Sequence, residues 1–287
     1  MRSKGNNAQL QSRFDGLARR LLKRLGQVLQ GRPAPDAKQV FFIAGVQRSG
    51  TNMIVNMLTP PAATEVFRET DPRAYRDFEL RDIDTLRRLV ARSHGRITVF
   101  KALCELQILP ALLDAFPRAK ALWIVRRPED MINSHLRARF SVNRTVSCGE
   151  RMRNIVDGRD PEGWRGRDVG ETTLAAIRDL THEGLSHASG VGLFWLMRNR
   201  LYFDLGLDRD ERVRAVCYED LVTAPDGHTA ALFDWLGLPF RRSLHRKVNP
   251  GSIGRYPPPD VERPILKACH DLHARFRTDA RLLEPIA

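Results

Sequence analysis

Short, mostly apolar runs alternate along the chain with longer segments of helical periodicity. The runs lie at residues 40–44, 97–101, 119–125 and 213–217, and they have the length and composition of strands that are buried on both faces. Helical patterns are found at 51–58, 128–139, 172–180, 192–205, 225–236 and 261–276. Strands that alternate with helices predict an α/β fold, in which helices flank a parallel central sheet.

The beginning of the chain carries a separate amphipathic pattern. Between Gln9 and Leu29 apolar residues recur every three or four positions, with most of the arginine and lysine residues on the other faces. The Gly- and Pro-rich stretch 31–35 interrupts this pattern. We therefore divide the chain into a basic N-terminal helix with its linker (1–35) and a main domain (36–287). Packing on the main domain, binding to an anionic membrane and binding to a partner all stay open for the helix.

Composition and charge narrow the class of protein. The hydrophobic share of 42% and the charged share of 28% are typical of a globular protein, and no apolar run is long enough to span a bilayer. The chain lacks a secretory signal pattern, and its four scattered cysteines suggest reduced thiols. We expect a cytoplasmic protein, at the inner membrane face if residues 9–29 bind lipid. The net charge of +13 suits an anionic ligand, whereas an aromatic share of 7% gives little support for nucleic-acid binding.

A candidate phosphate-binding loop joins the first predicted strand to the helix that follows it. Gly45 and Gly50 enclose four residues, which is the spacing of a nucleotide-binding P-loop. In such a turn, backbone N–H groups and the helix N-terminus face an anion together. Thr51 stands where the P-loop lysine would be, and the loop carries its cation at Arg48 instead. The loop therefore predicts a phosphate-binding site in which an arginine takes the place of the P-loop lysine.

The 119–125 strand ends in a second cationic position. Arg126 and Arg127 follow it, where a Mg-dependent NTPase has an acidic residue for its metal ion. An arginine at that point holds an anion, so the pocket is predicted to bind phosphates without a metal ion. Ser134 comes eight residues after Arg126, two turns along a helix that begins at Pro128.

These two motifs together resemble the sulfotransferase superfamily, in particular the branch with an Arg-Ser-Gly-Thr loop that includes tyrosylprotein and bacterial sulfotransferases. The resemblance covers roughly residues 38–260 and implies a P-loop (nucleoside-kinase-like) architecture. It implies that the loop binds the 5′-phosphosulfate of 3′-phosphoadenosine 5′-phosphosulfate (PAPS), and that Arg126 and Ser134 bind its 3′-phosphate. The product would be 3′,5′-ADP (PAP). The loop residues that it assigns to the donor are Gln47, Arg48, Ser49, Gly50, Thr51 and Asn52.

Two further segments extend the resemblance. Tyr218, at the end of the 213–217 strand, corresponds to a family tyrosine beside the donor's adenine, although it could equally cover the end of the core. Ser252, Gly254 and Arg255 lie in a Gly- and Pro-rich loop that resembles the family segment closing over the 3′-phosphate. Met53 stands where cytosolic members place a tryptophan on the adenine, so the adenine must be held elsewhere.

The resemblance also indicates a general base. Cytosolic members use a histidine two residues after a strand-end lysine; here Lys101 is present, but Leu103 occupies the other position. The Arg-Ser-Gly-Thr branch instead has a glutamate about twenty residues after the loop arginine, which corresponds to Glu69, with Glu65 and Asp71 as neighbouring alternatives. Lys101 either contacts the sulfonate or forms a salt bridge at the strand end.

The sequence thus predicts a sulfotransferase that moves a sulfuryl group from PAPS to an acceptor hydroxyl or amine by in-line displacement, with Glu69, Arg48 and Lys101 as catalytic residues. We expect a small-molecule, glycan or other hydroxyl-bearing acceptor, bound near the helical and loop insertion at 140–192. The sequence identifies neither this acceptor nor an oligomeric state. Two alternatives are a P-loop phosphotransferase or NTPase and a non-catalytic basic protein that binds nucleic acid or membrane.

Overall fold

The computed structural model of the protein describes residues 23, 25–27, 31–34, 37–138, 146–159 and 163–286. Within them, a parallel five-stranded sheet has the order β2-β5-β1-β6-β7. Its strands are β1 (Gln39–Gly45), β2 (Thr64–Val66), β5 (Ile97–Lys101), β6 (Ala119–Val125) and β7 (Val213–Cys217). An antiparallel hairpin of β3 (Tyr75–Arg76) and β4 (Glu79–Leu80) lies beside the sheet in a pairing of its own. The predicted α/β fold with a parallel sheet is confirmed.

The helices connect the strands and cover both faces of the sheet. They are α1 (Thr51–Leu58), α2 (Ile83–Arg92), α3 (Leu109–Asp114), α4 (Pro128–Leu136), α5 (Cys148–Val156), α6 (Glu171–Arg178), α7 (His187–Asp204), α8 (Tyr218–Thr223), α9 (Pro225–Trp235) and α10 (Arg263–Thr278). Two 3-10 turns lie at Leu106–Ile108 and Arg242–Leu244.

Several predicted boundaries shift by a few residues. The structure ends α4 at Leu136, before the predicted end at about residue 139, and it starts α7 at His187, before the predicted start at 192. The earlier start of α7 follows from Ser186, whose side chain accepts the backbone N–H of Ser189 and caps the helix. Helix α5 was not predicted, although Ser147 and Glu150 have capping-box spacing and Ser147 does cap the helix.

Both faces of the sheet are buried, which explains the uninterrupted apolar runs. Successive side chains of a strand point to opposite faces, and every residue of β1 is buried. Phe42 packs with Phe100 and Trp123 in one core cluster, whereas Phe41 and Ile43 pack in another with residues of α1. Alternation of apolar and polar residues is therefore absent from these strands.

Helix α7 holds the end of β6 in place. Trp195 and Asn199 of this helix are fully buried. The indole of Trp123 in β6 donates to Asn199 Oδ1 at 3.2 Å, and Trp195 Nε1 donates to the carbonyl oxygen of Arg126 at 3.0 Å. These two bonds connect the helix to the strand and to the first residue beyond it, so α7 fixes the backbone that carries Arg126.

The predicted amphipathic segment 9–29 falls largely outside the described residues. Lys23 and residues 25–27 are helical. Lys23 Nζ donates to the carbonyl oxygen of Thr59 at 2.5 Å, and the Gln27 side chain donates to the carbonyl oxygens of Ala62 and Thr64. This part of the segment thus contacts the main domain between α1 and β2. Among the helices of the described ranges, none has the length and apolar character needed to cross a membrane.

We predict that Gly190→Ala destabilises the protein, because α5 and α7 approach closely at this residue. A Cβ atom at Gly190 would lie 2.1 Å from the backbone nitrogen of Gly149, and backbone cannot move aside as a side chain can. The substitution should lower the free energy of unfolding by about 1–3 kcal/mol, measured by urea denaturation. Gly170→Ala is the matched control, because a Cβ there meets nothing within 4 Å. Equal effects of the two substitutions would contradict the close helix contact.

Candidate active site at the carboxyl edge of the sheet

The loop between β1 and α1 folds tightly against β6. A Cβ atom at Gly45 would lie 2.4 Å from the carbonyl oxygen of Ile124, so only glycine allows the two strands to approach so closely there. Arg48 and Gly50 both have left-handed backbone conformations, with φ of 72° and 101°. Gly50 also caps α1. Left-handed residues in such a loop turn successive backbone N–H groups toward one point, which is the geometry of an anion-binding nest.

Gly50 lies directly against an aromatic ring. A Cβ atom added to Gly50 would come within 2.5 Å of the ring of Tyr218. Tyr218 is the first residue of α8 and is buried to 9% exposure. The loop backbone therefore rests on this ring, and only a residue without a side chain fits between the loop and the ring.

The structure brings the two predicted phosphate motifs into direct contact. Arg48 Nε donates to Ser134 Oγ at 3.0 Å, and Arg126 Nη1 donates to the carbonyl oxygen of Arg48 at 3.0 Å. Arg48 itself is exposed, so its guanidinium can meet a ligand, whereas Arg126 is 7% exposed. The three residues come from two loops and one helix that meet at the carboxyl edge of the sheet, where the strands β1 and β6 end.

Arg126 is held on several sides. Its guanidinium carbon lies 4.5 Å from the ring centroid of Tyr218, in cation–π geometry. Its Nη2 donates to the carbonyl oxygen of Ser252 at 3.1 Å. The next backbone N–H, that of Arg127, donates to Glu219 Oε1 at 3.0 Å. Burial raises the pKa of the Glu219 carboxyl.

The C-terminal loop is tied to the same place by side chains. Tyr218 and Ser252 share a hydrogen bond of 2.7 Å between their hydroxyl groups. The backbone N–H of Gly254 donates to Asp130 Oδ1 at 3.0 Å. Arg255 is exposed, and its described contact is with the ring of Tyr256, 5.5 Å away. Ser252 and Gly254 therefore contact residues of the site, whereas Arg255 contacts the neighbouring Tyr256.

Sequence reasoning missed two residues, one in α4 and one at its C-terminal end, that hold this loop. Asn133 Nδ2 donates to the carbonyl oxygen of Pro257 at 2.9 Å, and the guanidinium of Arg137 lies 3.8 Å from the ring centroid of Tyr256. Asn133 is an ordinary polar position of the helix and Arg137 is its C-cap, and nothing in the local pattern marks either of them. The contacts join residues more than 100 positions apart, so only the folded chain shows them.

A second group of polar side chains lies between β5 and the segment after β2. Lys101 is 2% exposed, and its Nζ donates to Glu69 Oε2 at 2.5 Å and to Asn52 Oδ1 at 3.0 Å. Burial lowers the pKa of Lys101, and the neighbouring Glu69 carboxylate acts in the opposite direction. Because Asn52 belongs to α1, this lysine connects the phosphate loop to Glu69.

The two alternative carboxylates are engaged elsewhere. The backbone N–H of His94 donates to Glu65 Oε2 at 3.3 Å, and since His94 precedes β5, this contact lies toward the amino edge of the sheet. Asp71 forms a salt bridge of 2.7 Å with Arg73, and the hydrogen bond from Arg73 lowers the pKa of the Asp71 carboxyl. Of the three candidates, Glu69 is the one that contacts Lys101.

The backbone of Lys101 has its own support, which the sequence did not indicate. The N–H of Lys101 donates to the hydroxyl oxygen of Tyr75 at 2.7 Å, and that hydroxyl group lies 3.3 Å from the carbonyl oxygen of Lys101 and 3.4 Å from that of Phe67. Tyr75 is 3% exposed and begins the β3–β4 hairpin. The hairpin is thus attached to the strand end that carries the lysine.

Several buried polar atoms at the site have no hydrogen-bond partner within the described residues. These atoms are Ser49 Oγ, Gln47 Oε1 and Arg126 Nε. A buried polar group without a partner costs free energy, so these atoms suit a polar ligand that supplies both acceptors and donors. In the same described ranges, no group of three or more His, Cys, Asp or Glu side chains could hold a metal ion.

Comparison with known proteins identifies the family. A model described as the sulfotransferase family matches residues 81–242, more than half of the chain. The matched part contains Arg126, Ser134 and Tyr218 and begins after Arg48 and Glu69. No curated protein matches the chain.

Solved structures of low sequence identity also match. The sulfotransferase domain of the Synechococcus PCC 7002 olefin synthase is 16% identical, over 87% of this chain and 99% of that chain, with a TM-score of 0.46. The sulfotransferase STF9 from Mycobacterium avium is 14% identical, over 90% of this chain and 80% of that chain, with a TM-score of 0.47. Mouse sulfotransferase SULT7A1 complexed with PAP is 15% identical, over 80% and 67% of the two chains, with a TM-score of 0.41.

The match to the family model covers β5, β6 and β7, together with the strand-end arginine and the serine that meets the phosphate loop. On this evidence the protein belongs to the sulfotransferase family.

Proposed function

We propose that the protein transfers a sulfuryl group from PAPS to a hydroxyl or amine group of an acceptor. The observation that carries this proposal is the contact between Arg48 and Ser134, with Arg126 bonded to the backbone of Arg48. One donor molecule with a 5′-phosphosulfate and a 3′-phosphate would span such a pair of cationic motifs. Membership of the family supports the chemistry, and the geometry supports the choice of donor.

The donor would be bound mainly by backbone N–H groups and arginines. Arg48 and the N–H groups of the loop would hold the 5′-phosphosulfate, and Arg126 and Ser134 would hold the 3′-phosphate. The assignment of Tyr218, Ser252, Gly254 and Arg255 to the donor is part of the same proposal. The unpartnered Ser49 hydroxyl and Arg126 Nε support it, because the 5′- and 3′-phosphate groups of the donor could accept a hydrogen bond from each.

The chain's own residues then have three tasks. They must orient the acceptor in line with the sulfur, stabilise the charge that develops on the oxygen leaving with PAP, and remove the acceptor's proton. Arg48 is exposed, so its guanidinium could stabilise the negative charge that develops on that oxygen. Lys101 would hold Glu69 and Asn52 in position and contribute a second positive charge.

Glu69 is our proposed general base. Its side chain is 27% exposed, while that of its partner Lys101 is 2% exposed. The carboxylate therefore has one side held by the lysine and another open to an incoming acceptor. The carboxylate form of Glu69 is the one that can accept the acceptor's proton.

The remaining assignments concern the domain boundaries, the cellular compartment and the class of acceptor. We propose that residues 36–287 form the sulfotransferase domain, that residues 1–35 are a basic appendage, and that 140–192 contributes to the acceptor site. Cys104, Cys148, Cys217 and Cys269 are buried thiols, which supports a reducing compartment such as the cytoplasm. The acceptor would be a small molecule, a glycan or another hydroxyl-bearing compound.

We predict that the two arginines contribute differently to the binding of PAP and of 5′-AMP, a ligand that lacks the 3′-phosphate. Arg48→Ala should weaken the binding of both ligands by about 10- to 100-fold, because a charge-assisted hydrogen bond contributes about 1.5–3 kcal/mol. Arg126→Lys keeps a cation but loses the planar fork, and it should weaken PAP binding about ten-fold while changing 5′-AMP binding much less. Dissociation constants from titration calorimetry would test this.

The control for both variants is Arg92→Ala, which removes an exposed arginine from the last turn of α2. It should leave both dissociation constants unchanged. Equal affinity of the wild-type protein for PAP and 5′-AMP, or turnover of Mg-ATP without sulfate transfer from PAPS, would contradict the proposed donor.

We predict that Glu69→Gln lowers kcat by about 10²- to 10⁴-fold, the usual contribution of a general base. The variant keeps the shape of the side chain, so the dissociation constant for PAP should change little. The measurement is the transfer of radiolabelled sulfate from PAPS to the best acceptor in a panel of phenols, alcohols, sugars and amines.

Two neighbouring carboxylates provide matched controls for this variant. Glu65→Gln and Asp71→Asn remove the same kind of charge from groups that contact His94 and Arg73 instead of Lys101. Both should retain kcat within a few-fold. If either control lost as much activity as Glu69→Gln, or if Glu69→Gln stayed fully active, Glu69 would not be the base.

A further inference from the structure

The tip of the β3–β4 hairpin is a strained two-residue turn. Tyr75 pairs with Leu80 and Arg76 with Glu79, so Asp77 and Phe78 form the turn between the strands. Their φ angles are +51° and +71°. Such a turn normally carries Asn-Gly or Gly-Gly, because both central residues need left-handed backbone. A phenylalanine in this conformation is a genuine outlier, and the strain costs free energy.

The fold does not recover this cost by burying Phe78. The side chain of Phe78 is 63% exposed, the largest exposure among the large hydrophobic residues that are exposed in the described ranges. The neighbouring Asp77 is also exposed. An aromatic ring that is held in strained backbone and left in water gains little from folding, so its presence suggests contact with something outside the chain.

The hairpin is anchored to the active-site residues on its first strand. The hydroxyl oxygen of Tyr75 accepts the backbone N–H of Lys101 at 2.7 Å, and Lys101 Nζ reaches Glu69. Two strand residues extend roughly 7 Å, so the tip lies about that far along the backbone from Tyr75, whose side chain holds the strand end of Lys101. Glu69 itself is only nine positions before Phe78 in the sequence.

The second strand of the hairpin, β4, is anchored as well, to the insertion at residues 140–192. Glu79, next to Phe78, forms a half-buried salt bridge with Arg167. The backbone N–H of Leu80 donates to Glu105 Oε1 at 2.6 Å. Both strands of the hairpin are therefore fixed, and the tip projects from a rigid base that connects Lys101 to the segment around Arg167.

We propose that Phe78 contacts the sulfate acceptor, and that the acceptor carries an apolar or aromatic body beside the hydroxyl group that it presents to Glu69. This inference rests on the proposed function, since it assumes that acceptor and donor meet at Glu69. An exposed aromatic ring gains by covering apolar or aromatic surface of a ligand. A simple sugar offers less apolar surface to the ring than an aromatic alcohol and would therefore gain less from this contact.

Binding of a small probe to the PAP-saturated protein tests the inference without a turnover assay. We choose 2-naphthol as the aromatic alcohol and methyl glucoside as the polar one, both measured by titration calorimetry. The wild-type protein should bind 2-naphthol and should not measurably bind methyl glucoside. Phe78→Gly should weaken 2-naphthol binding about ten-fold, with the affinity for PAP unchanged.

Replacing Phe78 by glycine separates the loss of a ligand contact from a loss of fold stability. Glycine adopts left-handed backbone without strain, so Phe78→Gly should keep or raise the melting temperature, by about 1–3 °C. Asp77→Gly relieves the same kind of strain at the adjacent position, and it should leave 2-naphthol binding at the wild-type level. Loss of binding in Phe78→Gly alone, with a stable fold, is the result expected.

Two failures can be told apart. If the wild-type protein did not bind PAP, the proposed function would fail before the acceptor is considered. If PAP bound normally and 2-naphthol did not bind, or bound Phe78→Gly as tightly as the wild type, the role of Phe78 would be overturned while the donor assignment stood. A preference for methyl glucoside would also overturn it.

Discussion

The arrangement of the site depends on how Arg126 is held where β6 ends. Its backbone carbonyl accepts the Trp195 indole from the buried helix α7, and its guanidinium lies on the ring of Tyr218. From this position the same guanidinium bonds the carbonyl oxygens of Arg48 and Ser252. One side chain therefore connects the phosphate loop to the C-terminal loop, although Arg48 and Ser252 are 204 positions apart in the sequence. A buried cation with these partners is costly to displace, which fixes the two loops relative to each other.

The second half of the site is organised around another buried cation. Lys101 ends β5 as Arg126 follows β6, and it joins Asn52 of α1 to Glu69. The sheet order places β1 between β5 and β6, so the phosphate loop at the end of β1 has one cation on each side. The parallel arrangement of the strands is what brings both positive charges to the same edge. The anionic donor and the Glu69 carboxylate would thereby each have a cation of their own.

Local sequence patterns predicted the parts of this arrangement that depend on local physics. The buried strands were predictable because a parallel sheet requires apolar residues on both faces, and α4 because Pro128 starts it. The resemblance assigned Arg48 and Ser134 to different groups of one donor but did not predict their direct hydrogen bond. The contacts of Tyr75, Asn133 and Arg137 are likewise tertiary and leave no local signal. Strand β2 is three residues long and owes its conformation to pairing with β5. The hairpin turn escaped prediction because Asp-Phe is not a residue pair that favours it.

The close packing of Gly50 on Tyr218 also bears on how this sequence can change over time. A larger residue at position 50 would displace the ring of Tyr218, and that ring is the surface on which the Arg126 guanidinium lies. Position 50 is therefore constrained by an aromatic side chain 168 positions later in the chain, and that side chain is constrained in turn by an arginine on a third segment. Substitutions at these three positions should be tolerated only in combination, so related chains that differ at one of them should differ at the others.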